Sequence, residues 1–337
     1  MAGKISKSIS RLARFFPHSH GLASLFGASG LRVVLYHHIT DEPCHLADRL
    51  NVATSPGTFR SHLEFYQKEY DVVSLRRILE GDLPERPLLI TFDDAYRSVF
   101  TAAGPLLNEF GFPSVFFINS GLVGNRIMML DNLFCYLSHS VQIGELETAV
   151  TGRSPAVDRL EDLIRKVVPE LAYERRVSIR SELVERFGVE ERRLLKESDL
   201  YLHRKDLRRL KEFGIEIGNH TRNHVHCRNL EKVGMIEEIE KGKSELEDWS
   251  GSSVRGFSYP YGNTRDATPS VAEAVKRSGH RVSFLVRART NSTLGKEEPL
   301  NRVSLQQQEV SELFTHLEVM PRLRMLADRF RGGDTSK

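Results

Sequence analysis

The sequence predicts an α/β fold, a closed or nearly closed barrel of seven or eight strand–helix units interrupted by a helical insertion. Three observations predict it. Short apolar, β-branched runs alternate with stretches of helical periodicity, which implies parallel strands joined by helical crossovers. No Gly-x-Gly-x-x-Gly follows the first run, so the usual dinucleotide fingerprint of an open doubly wound sheet is missing. The stretch 124–198 is charged and helical and contains no strand pattern.

Taken in order, the strand candidates are 31–37, 72–75, 88–94, 114–119, 215–220, 257–260, 282–286 and 302–305. Helical patterns fall between them at 58–70, 97–110, 205–213, 230–249 and 270–278. The barrel is expected over 31–318, with the insertion at about 124–198 forming a lid or a partner surface. A basic segment precedes it at 1–30, and a basic tail follows at 319–337. In the first segment Ile5, Ile9, Leu12 and Phe16 fall at helical spacing among Lys4, Lys7, Arg11 and Arg14. Such a helix either lies on an anionic membrane surface or packs on the body of the protein.

Composition narrows the functional classes. The chain has 337 residues, with 48 Lys+Arg against 45 Asp+Glu for a formal charge of +3. That balance argues against a dedicated nucleic-acid binder, which would carry a strong basic excess. The three cysteines, Cys44, Cys135 and Cys227, form no Cys-x-x-Cys pair and suggest no disulfide framework. No apolar run follows the early basic residues, and none is long enough to span a bilayer, so a cytoplasmic location is expected.

Three strand ends carry chemistry. The run Leu89-Ile90-Thr91-Phe92 ends in the adjacent carboxylates Asp93 and Asp94. Carboxyl ends of barrel strands form the face where active sites sit, and two carboxylates there need a cation or hydrogen bonds. One Asp binding a metal while the other stays free as a base satisfies that need; Asp94 capping a following helix is the other reading. A second strand ends in His220-Thr-Arg-Asn-His224. On one turn of helix both imidazoles would reach the same ion. Two His and one Asp make a three-ligand site with an open position, as in catalytic metal centres. The third end, Ser258-Tyr-Pro-Tyr261-Gly262, is either an ordinary turn or a source of backbone N–H groups for an oxyanion.

Together these segments resemble the polysaccharide deacetylase family, with its NodB-homology or carbohydrate esterase family 4 barrel. Thr91-Phe92-Asp93-Asp94, His220-Thr-x-x-His224 and Pro260-Tyr261-Gly262 stand where that family has its first three motifs. The resemblance implies Asp93 as catalytic base and Asp94, His220 and His224 as ligands of a divalent ion, usually Zn2+. It also places the Tyr261 backbone N–H at the oxyanion. The implied reaction is hydrolysis of the N-acetyl group of an amino sugar in a surface polysaccharide or its lipid-linked precursor.

The sequence departs from the family's pattern twice. The Arg that opens the third motif and holds the base is replaced by Ser258, and Arg255 lies three positions too early. The late Leu-x-His that supplies a general acid has only a poor match in Phe314-Thr-His316. Leu35-Tyr-His37, closing the first strand, looks like a permuted form of it, with His38 as the competitor. Successive strand residues point to opposite sides, so one of the two serves, and His37 is preferred. A hydrolase of another small amide, or a weakened carbohydrate-binding protein, remain the alternatives.

Overall fold

The computed structural model describes residues 30–228, 230–291 and 299–324. Residues 1–29 of the basic segment at 1–30, and residues 325–337 of the tail at 319–337, therefore lie outside the described residues. The strands in chain order are β1 (Arg32–Tyr36), β2 (His38–Ile39), β3 (Ala53–Thr54), β4 (Asp71–Val72), β5 (Pro87–Phe92), β6 (Ser114–Ile118), β7 (Ile215–Asn219), β8 (Gly256–Ser258), β9 (Val282–Val286) and β10 (Leu300–Ser304).

Seven of them close a parallel ring. Its order is β1-β5-β6-β7-β8-β9-β10, and β10 returns to β1 through the pairs Val34–Val303 and Leu35–Ser304. β4 adds to β5 outside that ring. The run expected as a strand at 72–75 is thus only an edge fragment. Ser74 ends it by accepting the Arg77 N–H through its side chain and starting the helix Leu75–Glu80.

Strand alternation sorts the residues into two layers. Leu31, Val33, Leu89, Val115, Phe117, Phe284 and Leu300 form one buried cluster, with Leu75 and Ile78 of the short helix. These are the barrel's inward positions. Val34, Tyr36, Ile90, Phe92, Phe116, Ile118, Ile217 and Val303 pack outward with the surrounding helices. The parity puts Thr91 and Asp93 inside with Leu89, and His37 inside with Val33 and Leu35. Tyr36 and His38 face away from the interior.

Between β6 and β7 the chain runs through the helices Leu130–Leu137, Ile143–Thr151, Tyr173–Arg186 and Glu191–Ser198. Their apolar stripes, including Leu133, Phe134, Leu146, Ile179, Leu183 and Leu195, join the outer cluster. Much of their charge is solvated, as in the exposed pairs of Arg193 with Glu190 and Glu197. The segment is fastened beside the end of β5, where Arg97 N–H donates to the Leu200 carbonyl and Leu202 N–H to that of Ala95, each at 2.9 Å. Among the described residues no helix is long and apolar enough to cross a membrane.

Candidate active site

The ends of β1, β5, β7, β8 and β10 meet at one buried polar pocket. Asp93 continues the β5 ladder, its N–H donating to the Tyr36 carbonyl at 3.0 Å. Asp94 then takes a left-handed backbone, with φ of 67°. Neighbouring strand residues ordinarily face opposite ways; this reversal lets both carboxylates serve the same pocket. They are 3% and 4% exposed, so neither is hydrated freely. Asp94 caps no helix, because the next helical turn starts at Val99.

His220 and His224 do meet, with ring centroids 5.1 Å apart, but not on a helical turn. The segment is a loop with Thr221 and His224 at φ of 64° and 56°. Side chains from neighbouring elements override helical spacing here. Glu238 accepts the Asn223 N–H and its side-chain amide, each at 2.8 Å. Asn119 donates to the carbonyls of His220 and Thr221, and Gly121 N–H donates to that of Arg222 at 2.9 Å. Left-handed non-glycine residues are costly and recur at Asp94, Thr221, His224 and Tyr261, four positions around one pocket.

One ligand atom from each of Asp94, His220 and His224 falls within 4.8 Å of the others. His224 Nε2 is 3.2 Å and His220 Nε2 3.6 Å from Asp94 Oδ1. His220 Nδ1 lies 2.7 Å from the Ser258 carbonyl, which can only accept. The proton is therefore on Nδ1, and the Nε2 lone pair faces the carboxylates. Burial lowers the proton affinity of both imidazoles, strongly so for His224. Burial, with the charges of Asp93 and Asp131 behind it, raises Asp94 well above the usual carboxylate range.

The group that holds Asp93 is Arg302, which the sequence reading missed. Arg302 on β10 is fully buried and forks onto Asp93, Nη1 to Oδ1 and Nη2 to Oδ2, both at 2.6 Å. Nη2 also donates to Ser258 Oγ at 2.7 Å, and that hydroxyl reaches Asp93 Oδ2 at 3.2 Å. Serine at 258 leaves room for an arginine arriving from another strand. Phe117 and Phe284 lie beside the guanidinium, with their ring centres 5.5 and 5.9 Å away. Burial alone would raise Asp93; the charges of Arg302 and His220 overcome it and bring the carboxyl down to about 2. Arg255 precedes β8 at the opposite end of the barrel and takes no part.

His37 is half-buried and feels the charges of Asp93, Arg302 and His220. His38 is committed elsewhere, Nδ1 being 2.7 Å from Ser98 Oγ and the ring stacked on Tyr96. His316 lies in the helical turn Thr315–Val319, away from the pocket. Tyr261 sits in the Pro260–Gly262 turn with φ of 61°, stacked on His226.

Asp131, on the helix Leu130–Leu137, also reaches the pocket, and no local signal marked it among the charges of the insertion. It accepts the Tyr261 hydroxyl at 2.9 Å and lies 3.8 Å from His224 Nδ1, which has no hydrogen-bond partner. Burial pushes its carboxyl up to about 7, against the Tyr261 hydrogen bond. The donor set fits a divalent cation. Arg302 neutralises Asp93, whereas Asp94 and Asp131 are buried carboxyls with no such cationic partner among the described residues.

The sequence profile of the family described as polysaccharide deacetylase matches residues 80–282, more than half of the chain. A poly-β-1,6-N-acetyl-D-glucosamine N-deacetylase of Escherichia coli K12 is 29% identical over 93 residues, spanning 26% of this chain and 13% of that protein. The deacetylase PplD of Streptococcus pyogenes, solved with acetate, superposes with a TM-score of 0.57 at 14% identity. That match covers 86% of this chain and 98% of PplD. IcaB from Ammonifex degensii gives 0.54 at 18% identity, over 86% and 98% of the two chains. At such identities the structural matches speak for the fold.

Proposed function

Because the chain belongs to the polysaccharide deacetylase family, we propose that it hydrolyses the N-acetyl group of an amino sugar, releasing acetate and a free amine. The substrate class is a surface polysaccharide or its lipid-linked precursor; the N-acetylglucosamine polymer in the name of the E. coli relative is of this kind. The observation that carries the reading is the Asp93–Arg302 fork, a buried carboxylate kept ionised beside a three-donor pocket. A weakened carbohydrate-binding protein loses the part of its support that came from Ser258, since Arg302 occupies the role that residue left open. A cytoplasmic location, with peripheral membrane contact through residues 1–30, remains part of the proposal on sequence composition alone.

Asp94, His220 and His224 would hold the cation, and imidazole with carboxylate suits Zn2+. When bound, it supplies Lewis-acid polarisation of the acyl carbonyl and acidifies water. Asp93 takes the proton of the attacking water, for which its low proton affinity keeps it ready at every physiological pH. Arg302 fixes the carboxylate's orientation and Ser258 holds one of its oxygens. The Tyr261 N–H is assigned to the oxyanion; the loss of one such donor costs about 2.7–4 kcal/mol.

His37 delivers the proton to the departing nitrogen as the C–N bond breaks. In the free pocket burial holds this imidazole near 4 against the pull of Asp93, with Arg302 and His220 lowering it further, so it is neutral. Negative charge developing on the acyl oxygen raises its proton affinity, so it takes up a proton from solvent as water adds, gives that proton to the nitrogen as the C–N bond breaks and returns to neutral, while the proton held by Asp93 goes back to solvent. His37→Asn is expected to lower kcat roughly 10²–10⁴-fold with little change in KM. His38→Asn should instead lower the melting temperature, because a buried hydrogen bond to Ser98 is lost, and leave kcat within a few fold. Equal kcat losses in the two variants would count against the assignment.

The His220–His224 loop offers a second test. A Cβ on Gly121 would stand 2.6 Å from Asn223 Oδ1 and 2.8 Å from the Arg222 carbonyl oxygen. Gly121→Ala must therefore displace the residues between the two histidines. Zn2+ affinity and acetate release should fall together, measured by calorimetry and by a coupled acetate assay. Wild-type affinity in Gly121→Ala would show that the loop's position does not matter. The reading as a whole is tested by acetate release from N-acetylhexosamine oligomers and lipid-linked amino sugars. Release from neither would overturn it.

A further inference from the structure

A second cluster of metal-binding donors lies outside the pocket. His45 and Asp48 stand on the loop between β2 and β3; Cys135 and His139 stand at the end of the helix Leu130–Leu137. His139 Nε2 is 2.9 Å and Cys135 Sγ 3.4 Å from Asp48 Oδ1, and His45 Nδ1 is 3.3 Å from Asp48 Oδ2. The rings of His45 and His139 meet at 4.8 Å. We propose that His45, Asp48, Cys135 and His139 form a second, structural site for a zinc-class cation, distinct from the pocket at the barrel mouth.

Four features carry this. The donors are two imidazoles, a thiol and a carboxylate, a mixture that a borderline-soft ion prefers and that hard ions do not. Bonds of about 2.0–2.3 Å to zinc place tetrahedral ligand atoms roughly 3.3–3.8 Å apart. One ligand atom from each of His45, Asp48 and His139 lies within 4.8 Å of the others, and Cys135 Sγ approaches the same cluster at 3.4 Å from Asp48 Oδ1. The donors also pair along the chain, His45 with Asp48 three residues apart and Cys135 with His139 four apart, each pair within about one helical turn.

The fourth feature is preorganisation. The two segments are held together without the ion: Arg49 Nη1 donates to the Ser138 carbonyl at 3.0 Å, and Asn132 Nδ2 to that of Leu46 at 2.7 Å. The Arg49 N–H points at Cys135 Sγ at 3.4 Å, a donor suited to a thiolate. Cys135 is buried while His45 is largely exposed, which leaves an entry path from solvent.

The consequence reaches the barrel mouth. Asp131 lies four residues before Cys135 on the same helix, and it is the residue that accepts the Tyr261 hydroxyl beside His224. A cation at the second site would pin that helix to the loop after β2 and so hold Asp131 in place. The second site itself does not rest on the reaction proposed above.

Cobalt titration of the metal-stripped full chain tests it. Two equivalents should bind, one with the near-ultraviolet sulfur-to-cobalt charge-transfer band of a thiolate ligand. Cys135→Ser and His139→Ala should each lose one equivalent, and the serine variant the band, while their circular dichroism stays that of the parent. His139 is part-exposed, so its replacement is tolerated by the fold even if that of Cys135 is not. In Asp94→Asn the thiolate band should persist. A parent chain that shows no thiolate band, whatever number of equivalents it binds, overturns the proposal; one equivalent with the band would keep this site and count instead against the pocket at the barrel mouth.

Discussion

Arg302→Met is expected to slow deacetylation severely at neutral pH while leaving the cation ligands untouched. Methionine fills similar space beside Phe117 and Phe284 but leaves Asp93 with the Ser258 hydroxyl at 3.2 Å and His220 Nε2 at 3.6 Å and with no guanidinium. Removing one partner of a buried ion pair costs about 3–5 kcal/mol, part of which Asp93 escapes by taking up a proton. A protonated Asp93 is no base, so kcat should fall roughly 10²–10⁴-fold at pH 7. The acid limb of the pH–rate profile should also move upward toward neutrality, so that activity partly returns as pH rises. A purely structural role would lower activity equally at every pH. Arg302→Lys restores the charge but cannot fork, and should recover only part of the rate.

The same pair has a stability signature. Asp93 is depressed in the folded state to about 2, from about 3.9 in an unfolded chain. Its contribution, roughly 2–3 kcal/mol, is therefore complete above the unfolded value and lost as pH falls through about 2. Arg302→Met removes that acid-sensitive increment.

Asp94→Asn should behave in the opposite sense. Burial and the neighbouring charges of Asp93 and Asp131 make this carboxylate unfavourable in the metal-free fold. A neutral amide of the same shape relieves that, so the metal-free variant should melt higher than the metal-free parent, by about 1 kcal/mol or more in stability. Saturating Zn2+ at a hundredfold excess over Kd adds about 2.7 kcal/mol to the parent and none to the variant. The comparison is made with Cys135→Ser in both proteins, so that only this site is read. Affinity in the parent should climb with pH, by up to about tenfold per unit, while Asp94 must give up a proton to bind. An equal Zn2+ shift in the variant would show that Asp94 is no ligand.

The legible parts of the molecule are those where one strand carries both the signal and the residue. The runs ending at Asp93-Asp94 and His220 were visible because an apolar strand stops abruptly in ligands. Strand alternation at His37-His38 likewise placed one ring toward the pocket and the other toward Ser98. Barrel closure was the harder part. Arg302 meets Asp93 across 209 residues, and only the closing of β10 onto β1 brings them together. Its parity with Leu300, an inward residue, was the available clue. The histidine loop was misread as a helical turn because Glu238, Asn119 and Gly121, distant in sequence, decide its backbone. Asp131 gave no signal at all, being one acid in a charged helical segment whose approach to Tyr261 is tertiary.

In the proposed reaction Asp93 acts as base beside a cation it does not hold. The most direct measurement is bound metal and acetate release together, on the parent chain and on Asp93→Asn. Equal metal content in the two, with acetate released only by the parent, is the predicted result. Loss of metal in Asp93→Asn would make Asp93 a ligand, and undiminished acetate release would remove it from the reaction; either outcome excludes Asp93 as a base that stands apart from the cation.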